Sequence, residues 1–473
     1  MSENQSTKMW SGRFREPLNL HFEAWQRSFP FDWRLFQVEI FASIAHARSI
    51  TAAGVLTREE SLRMIAGLEA VGKIALSERE LLNPAAPFAA NAAAAEDVHH
   101  FVELELTRQV GDLALKLHTG RSRNEQIATD MRLYVADAIH VATQGLRNWS
   151  LALIELAERA GTAVMPSYTH LQRAEPVLVA HWLLAYVAMA ERDISRLADC
   201  RARLSLSPLG SGAVAGATLA LDRRISTQAL GFLAPTANSL DATSDRDFAL
   251  EYTQNLSILG IHLSRFAEEL TLYSTAEFSF LDLPEAFSTG SSAMPQKKNP
   301  DFTELLRGKS ARLVGAATTL AVLIKGLPLA YNKDLQEGQE PVFDATDTVL
   351  GILHILPDFT RSLKFRFEVM ANASQNGYLN AMAAATYLTG KGVPFRKAHE
   401  KIGNAVRFAL ESSRELNELT LAELKTFGEE FESDFFDAIT LEATLDCHDV
   451  PGGTARTQVA SALAAAKFRL TQQ

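Results

Sequence analysis

The sequence predicts an all-α protein built on unusually long helices, and three observations lead to it. Backbone breakers are few, with 26 Gly and 16 Pro among 473 residues. Prolines are absent between Pro87 and Pro166, Pro176 and Pro208, Pro235 and Pro284, and Pro300 and Pro328. An interior proline costs a helix ~3 kcal/mol, so each gap has room for one long helix or several short ones. Within the gaps apolar residues recur at three and four, and strand-like alternation is scarce.

Ile127, Met131, Tyr134, Val135, Ala138 and Val141 form one such stripe. Leu250, Thr253, Leu256, Ile258, Ile261, Leu263 and Phe266 form a second, broader one. These patterns predict central helices of about 25 to 35 residues, well beyond the ~11–12 residue mean. Broad apolar stripes need partners, which implies a bundle, and faces left over imply further subunits. Three regions are expected. Residues 1–122 are mostly helical and include the Pro/Ala-rich stretch from Asn83 to Asn91, 123–372 hold the long-helix bundle, and 373–473 form a small helical domain broken by Gly390, Gly392, Pro394 and Pro451-Gly452-Gly453.

Charge and cysteine content narrow the function classes. Lys plus Arg number 46 and Asp plus Glu 56, giving a formal net charge of −10. Nucleic-acid and anionic-membrane binders are usually basic, so neither partner is expected. Cys200 and Cys447 are the only cysteines, and no CxxC pair is present. Met1 to Lys8 is polar, without an apolar signal core, and the most apolar window, Leu313 to Ala330, carries Lys325. A cytoplasmic location is expected. No GxGxxG, HExxH or cysteine cluster points to a cofactor or metal, so the chemistry is expected to come from side chains alone.

Four polar stretches interrupt the helical pattern. His118-Thr119-Gly120-Arg121-Ser122-Arg123-Asn124-Glu125-Gln126 sets two arginines and an amide at the start of a long helix. Arginine grips a carboxylate with two parallel hydrogen bonds, and a helix N-terminus adds free N–H groups. A capped helix start with solvated charges would read the same. Ser167-Tyr168-Thr169-His170-Leu171-Gln172 offers a histidine that can act as acid, base or hydrogen-bonded core residue. In Ser288-Thr289-Gly290-Ser291-Ser292-Ala293-Met294-Pro295-Gln296-Lys297-Lys298-Asn299-Pro300-Asp301, a Gly/Ser loop runs into two lysines. Asn299 as N-cap and Pro300 in the first turn would then open a helix, making a mobile lid over an anion. Tyr331-Asn332-Lys333-Asp334-Leu335-Gln336-Glu337-Gly338 packs hydroxyl, amide and charged groups into two turns.

With these go Met9-Trp10-Ser11-Gly12-Arg13-Phe14, Glu96-Asp97-Val98-His99, and Lys391-Gly392-Val393-Pro394-Phe395-Arg396 followed by Ala398-His399. Together the segments resemble the fumarase/aspartase superfamily over nearly the whole chain. The Ser-Ser-x-Met-Pro-x-Lys-x-Asn loop belongs to the superfamily at large. Gly-Arg-Ser-Arg-Asn and Tyr-Asn-Lys-Asp-Leu-Gln-Glu resemble its argininosuccinate branch.

The resemblance implies a homotetramer on a twenty-helix core, five long helices from each subunit, with each active site shared by three subunits. It implies an anti β-elimination that splits argininosuccinate into arginine and fumarate, the last step of arginine biosynthesis. The proton leaves a carbon beside a carboxylate, so charge builds on that carboxylate and needs cations and N–H donors. Ser291 is expected as the base, an alkoxide within its closed loop, with Lys297 as the nearby cation. His170 is expected on the acid side or its water relay, oriented by Glu304. The family has also been read with the Ser291 and His170 roles exchanged. Ser28, Arg123, Asn124, Thr169, Asn299, Tyr331, Gln336 and Gln339 stand at motif positions that contact substrate.

The chain departs from the family pattern at three places. Gln339 stands where a substrate-contacting lysine is usual, which removes a Coulomb term and puts affinity in question. Glu125 replaces the usual Asp, and Arg456 stands where proline is common. Two rivals fit the same residues: another fumarate-releasing lyase acting on adenylosuccinate, aspartate or malate, or a crystallin-like protein that keeps the fold without turnover.

Overall fold

The computed structural model describes residues 16–472, so the Met9–Phe14 motif lies outside the described residues. Contacts divide the chain into two compact units. The first runs to Asp137 and includes Cys200–Glu251 and Thr318–Phe343; the second comprises Ala138–Asp199, Tyr252–Ala317 and Asp344–Gln473. In the first unit α1 (Phe36–Ala52) and α2 (Val98–Val110) are short to medium helices. The long helices come next. α3 spans Arg123–Ala160, α4 Val179–Arg203 and α5 Asp247–Tyr273. α6 spans Asp301–Ile324 and α7 Gln339–Ser362. At 38, 25, 27, 24 and 24 residues they match the all-α expectation, with the first longer than the periodicity implied.

Proline spacing located four of the five. α7 escapes it because Pro341 sits in the first turn, where the missing N–H has no intrahelical partner anyway, while Pro357 is carried inside the helix. The 87–166 gap holds α2 and α3 with a short helix, Ala89–Ala94, ahead of them.

Within the second unit the long helices pack through aromatic and small residues. Trp149 of α3 is fully buried and meets the Phe266 ring of α5 edge-on at 5.5 Å. Trp182 and Tyr186 of α4 join that cluster, and both donate to the Glu269 carboxylate. Gly145 of α3 lies so close to α7 that an added Cβ would sit 2.8 Å from the Leu353 Cβ, which makes glycine necessary for that crossing.

The predicted stripes are buried in the main. Ile127, Met131, Val135, Ala138, Leu256, Leu263 and Phe266 are all interior. Val141 and Ile261 are instead exposed, each at 50%. Leu305, Val314, Val322 and Ile355 on the long helices are exposed as well.

The Ser167–Gln172 stretch is not a loop. Val164–Thr169 (β1) and Gln172–Leu178 (β2) form an antiparallel hairpin with Thr169 paired to Gln172. Burial here follows neither a clean alternation nor a helical period, which hid it from pattern reading. The Gly/Ser loop of residues 288–301 is also tied. Thr289–Gly290 (β3) and Lys298–Asn299 (β4) pair antiparallel and close the serine loop at its base. Among the described residues no helix is long and apolar enough to cross a membrane.

Candidate active site

The expected site residues fall into three clusters. One is built in the first unit around the start of α3. Ser122 and Glu125 cap that start, the Glu125 carboxylate accepting from Ser122 N at 3.1 Å and the Ser122 hydroxyl from Asn124 N at 3.3 Å. Burial pushes Glu125 up to about 6. Arg123 Nη1 donates to the Asp97 carboxylate at 2.8 Å. Burial alone would raise Asp97, but the Arg123 guanidinium holds it below its ordinary value. Asp97 is also the N-cap of α2, accepting from His100 N at 2.7 Å. The Arg-Ser-Arg-Asn segment is thereby bolted to the Glu-Asp-Val-His motif.

Ser28 joins from the other side. It is buried and donates to the Asp32 carboxylate at 2.6 Å, whose second oxygen accepts from Val98 N at 3.0 Å. Burial, with Asp97 nearby, pushes Asp32 up to about 7. Gln336 is buried and donates to Gln26 O at 3.1 Å, and Tyr331 has its hydroxyl pushed up by burial. Ser28, Arg123, Asn124, Tyr331, Gln336 and Gln339 thus all belong to the first unit.

Asp32 and Asp97 were not singled out from sequence. Asp32 is four residues past Ser28, one helical turn along, a signal available in principle. Asp97 stood inside a quoted motif, but its tie to Arg123 spans 26 residues and only the fold supplies it.

A protonated native Asp32 has a sign that can be checked. Its folded pKa lies above the unfolded one, so between the two values the native state binds the extra proton and stability falls as pH rises. Asp32→Asn keeps both hydrogen-bond partners and removes the charge. Its melting temperature is expected to exceed wild type by a margin that widens from about pH 5 to pH 8. A margin that stays flat would show that Asp32 does not titrate there.

Beneath this cluster lies a buried ionic group. Glu39 of α1 accepts from Ser43 Oγ at 2.6 Å, Gln126 Nε2 at 2.6 Å and His99 Nδ1 at 3.0 Å. Burial opposes the charge on Glu39, but His99 and Arg121 hold it ionised, and His99 is raised in turn by Glu39 against its own burial. Asp130, 3.6 Å from His99 Nδ1, is pushed well up by burial and by Glu39. Ligand atoms of Glu39, His99 and Asp130 lie within 4.8 Å of one another. Arg121 lies beside this group, donating to Ser43 Oγ at 3.0 Å and helping to hold Glu39 ionised. The group acts as a rigid seat for the arginine segment.

The second cluster is the tip of the β1–β2 hairpin. His170 and Leu171 form its two-residue turn with φ of 55° and 56°. Both central residues at positive φ is the type I′ arrangement that matches strand twist. Non-glycine residues pay for it in local strain, which here projects an exposed His170, beside Thr169, away from the strands. The third is the serine loop. Ser291 Oγ accepts from Ala293 N at 3.2 Å and Met294 N at 3.1 Å. Lys297 and Glu304 are exposed.

The helix after the loop begins at Asp301, not after an Asn299 cap. Asn299 is held in β4, where its amide donates to Gly290 O at 3.3 Å and its backbone pairs with Thr289. Pro300 takes the cap position instead: its carbonyl accepts from Glu304 N at 3.0 Å. Asp301 accepts from Thr289 N and Oγ1, both at 2.8 Å, which locks the loop base. Among the described residues no hydrogen bond or ion pair joins the His170 tip to the Ser291 loop within one chain.

A five-long-helix bundle with a serine loop, a hairpin histidine and an arginine-bearing helix start defines a lyase of the fumarase/aspartase type. Solved structures with this fold include EDDS lyase in complex with formate, at TM-score 0.80 and 24% identity over 93% of this chain and 86% of that one. Class II fumarase from Schistosoma mansoni aligns at TM-score 0.73 and 16% identity over 87% and 91%. The family described as Lyase matches residues 12–315, and that described as Argininosuccinate lyase C-terminal matches 378–446. The argininosuccinate lyase of Acidobacterium capsulatum is 59% identical over 98% of this chain and 94% of its own, and that of Koribacter versatilis 54% over 98% and 97%. The chain belongs to the argininosuccinate lyase family.

Proposed function

We propose that the protein cleaves argininosuccinate to arginine and fumarate, in the cytoplasm, as the last step of arginine biosynthesis. The observation that carries the chemistry is the pair of backbone N–H groups aimed at Ser291 Oγ, from Ala293 and Met294. A serine hydroxyl is a poor base in water; N–H donors that bond the oxygen favour its alkoxide, and a closed loop removes competing water. Ser291 takes the proton from the carbon next to the carboxylate. Lys297 steadies the charge that builds there, with Asn299 at the loop base contacting the same anion. His170, oriented by Glu304 and flanked by Thr169, delivers a proton to the departing guanidinium nitrogen. Arg123 and Asn124 hold carboxylate oxygens; Ser28, Tyr331, Gln336 and Gln339 hold the amino-acid end.

The working unit in this reading is a homotetramer whose core is the 123–372 bundle. Exposed Val141, Ile261, Leu305, Val314, Val322 and Ile355 on the long helices supply apolar area for that assembly. Residues of three subunits meet in each site, which brings His170 and Ser291 together although they are unconnected in one chain.

The test is a substrate screen that follows fumarate release. Argininosuccinate is expected to be turned over at about 1–10³ per second. Release from adenylosuccinate, aspartate or malate in its place would overturn the reading, and no turnover of any of them would favour the crystallin-like alternative.

A further inference from the structure

Beyond α7 the small helical region holds a cavity that has no part in the proposed lyase chemistry. Its volume is about 490 Å³, room enough for a small organic ligand, and its walls all belong to the second unit. Three acidic side chains, Glu415, Glu418 and Glu442, line it. None of the described residues lining it is a lysine, arginine or histidine. Glu415 accepts from Gly377 N at 2.9 Å and Tyr378 N at 3.1 Å, and Glu418 from Glu415 N at 2.8 Å. These backbone donors hold the carboxylates in place without cancelling their charge. Two arginines sense the acids, Arg414 from Glu418 and Arg456 from Glu442. Both are engaged elsewhere, Arg414 forked onto Glu423 and Arg456 onto Asp446.

Two further wall residues carry oxygens that bond to nothing. Thr444, on the helix Leu441–Asp446, is 1% exposed, and its Oγ1 has no hydrogen-bond partner. Asn380 Oδ1 is buried and likewise unpartnered. Its Nδ2 donates to Ile439 O at 3.2 Å, which fixes the orientation of the amide. Buried oxygens are normally satisfied, so two of them on the wall of one acidic cavity mark a place for a donor. Leu379, Phe436 and Ile439 add apolar surface to the same wall.

We propose that this cavity binds an alkyl cation, a guanidinium or ammonium group on an aliphatic stem. The N–H groups of the cation meet the acids and the oxygens of Thr444 and Asn380, and the stem lies against the apolar wall. A ligand with a carboxylate of its own is disfavoured, because the lining offers no cation to receive it. Pro176 of β2 also lines the cavity, so an occupant touches the hairpin whose tip holds His170.

Calorimetric titration of the full-length protein with agmatine, a guanidinium and an ammonium joined by a butyl stem, tests this. Putrescine, with ammonium at both ends, separates the two sources of the charge: the tighter of the two ligands names the preferred head group. One cation is expected per chain, with Kd of about 1 mM or tighter. Thr444→Val removes the unpartnered hydroxyl at nearly constant shape, and Glu442→Gln removes one charge. Each should weaken binding about 10-fold or more, the scale of one hydrogen bond to a charged group. Fumarate release should be unchanged in both. Glu442 is exposed, so its variant covers the case of a poorly folded valine protein. No binding of either ligand up to about 10 mM, or an affinity that neither substitution changes, would overturn the assignment.

Discussion

Replacing Ser291 by alanine should lower kcat by at least about 10³-fold while leaving the melting temperature and the subunit count unchanged. The residue is half-buried in a loop, and its hydroxyl takes no part in the core. What it receives is two N–H donors, from Ala293 at 3.2 Å and Met294 at 3.1 Å. Alanine removes the proposed proton acceptor and leaves those donors to water, while the loop keeps its base, which Asp301 and the β3–β4 pair hold independently. KM should move little, because substrate binding is assigned to other residues. A variant with near-wild-type kcat would take Ser291 out of the mechanism.

The second large effect is expected at Glu39. Three donors converge on its carboxylate, from Ser43, Gln126 and His99, all within 3.0 Å. Breaking a buried ion pair by deleting one partner typically costs about 3–5 kcal/mol, because the other charge is left uncompensated. Asp130 softens the loss in Glu39→Ala: once Glu39 is gone it can release its proton and pair with His99, which lies 3.6 Å away. The double change Glu39→Ala with Asp130→Asn removes that substitute and should cost more than the two single changes added together. Thermal unfolding of the three variants measures this. Strict additivity would show that Asp130 and Glu39 do not share one proton.

The activity of Glu39→Ala should fall as well. Arg121 and Gln126 lose the seat that sets the start of α3, and Arg123, its first residue, is two residues past Arg121. In the proposed mechanism Arg123 holds a substrate carboxylate, so misplacing it should affect KM first.

Much of the architecture was legible because helices write a local code. Apolar recurrence at three and four and the proline gaps located α3 to α6 from neighbouring residues alone. What stayed hidden was non-local. The hairpin that carries His170 is partly buried on both faces, so no alternation marks it, and its turn uses His-Leu where Asn-Gly would have announced it. Asn299 looked like a helix cap because cap propensity is local, whereas pairing with Thr289 across the loop decides its conformation. Val141 and Ile261 fit their stripes but lie outside the core of a single chain, since periodicity reports a face and not what covers it. In the site, residue types and motifs were readable; the partners Asp32 and Asp97, set by packing between distant segments, were not.

Subunit mixing tests most directly whether histidine and serine meet only across subunits. His170→Asn and Ser291→Ala proteins, each inactive alone, are unfolded, combined in equal amounts and refolded together. If each site draws the two residues from different chains, random assembly leaves some sites with both intact, and roughly a quarter of wild-type activity should return. If no activity returns at any mixing ratio, although mixed tetramers form, both residues serve a site from the same chain and the shared-site account is contradicted.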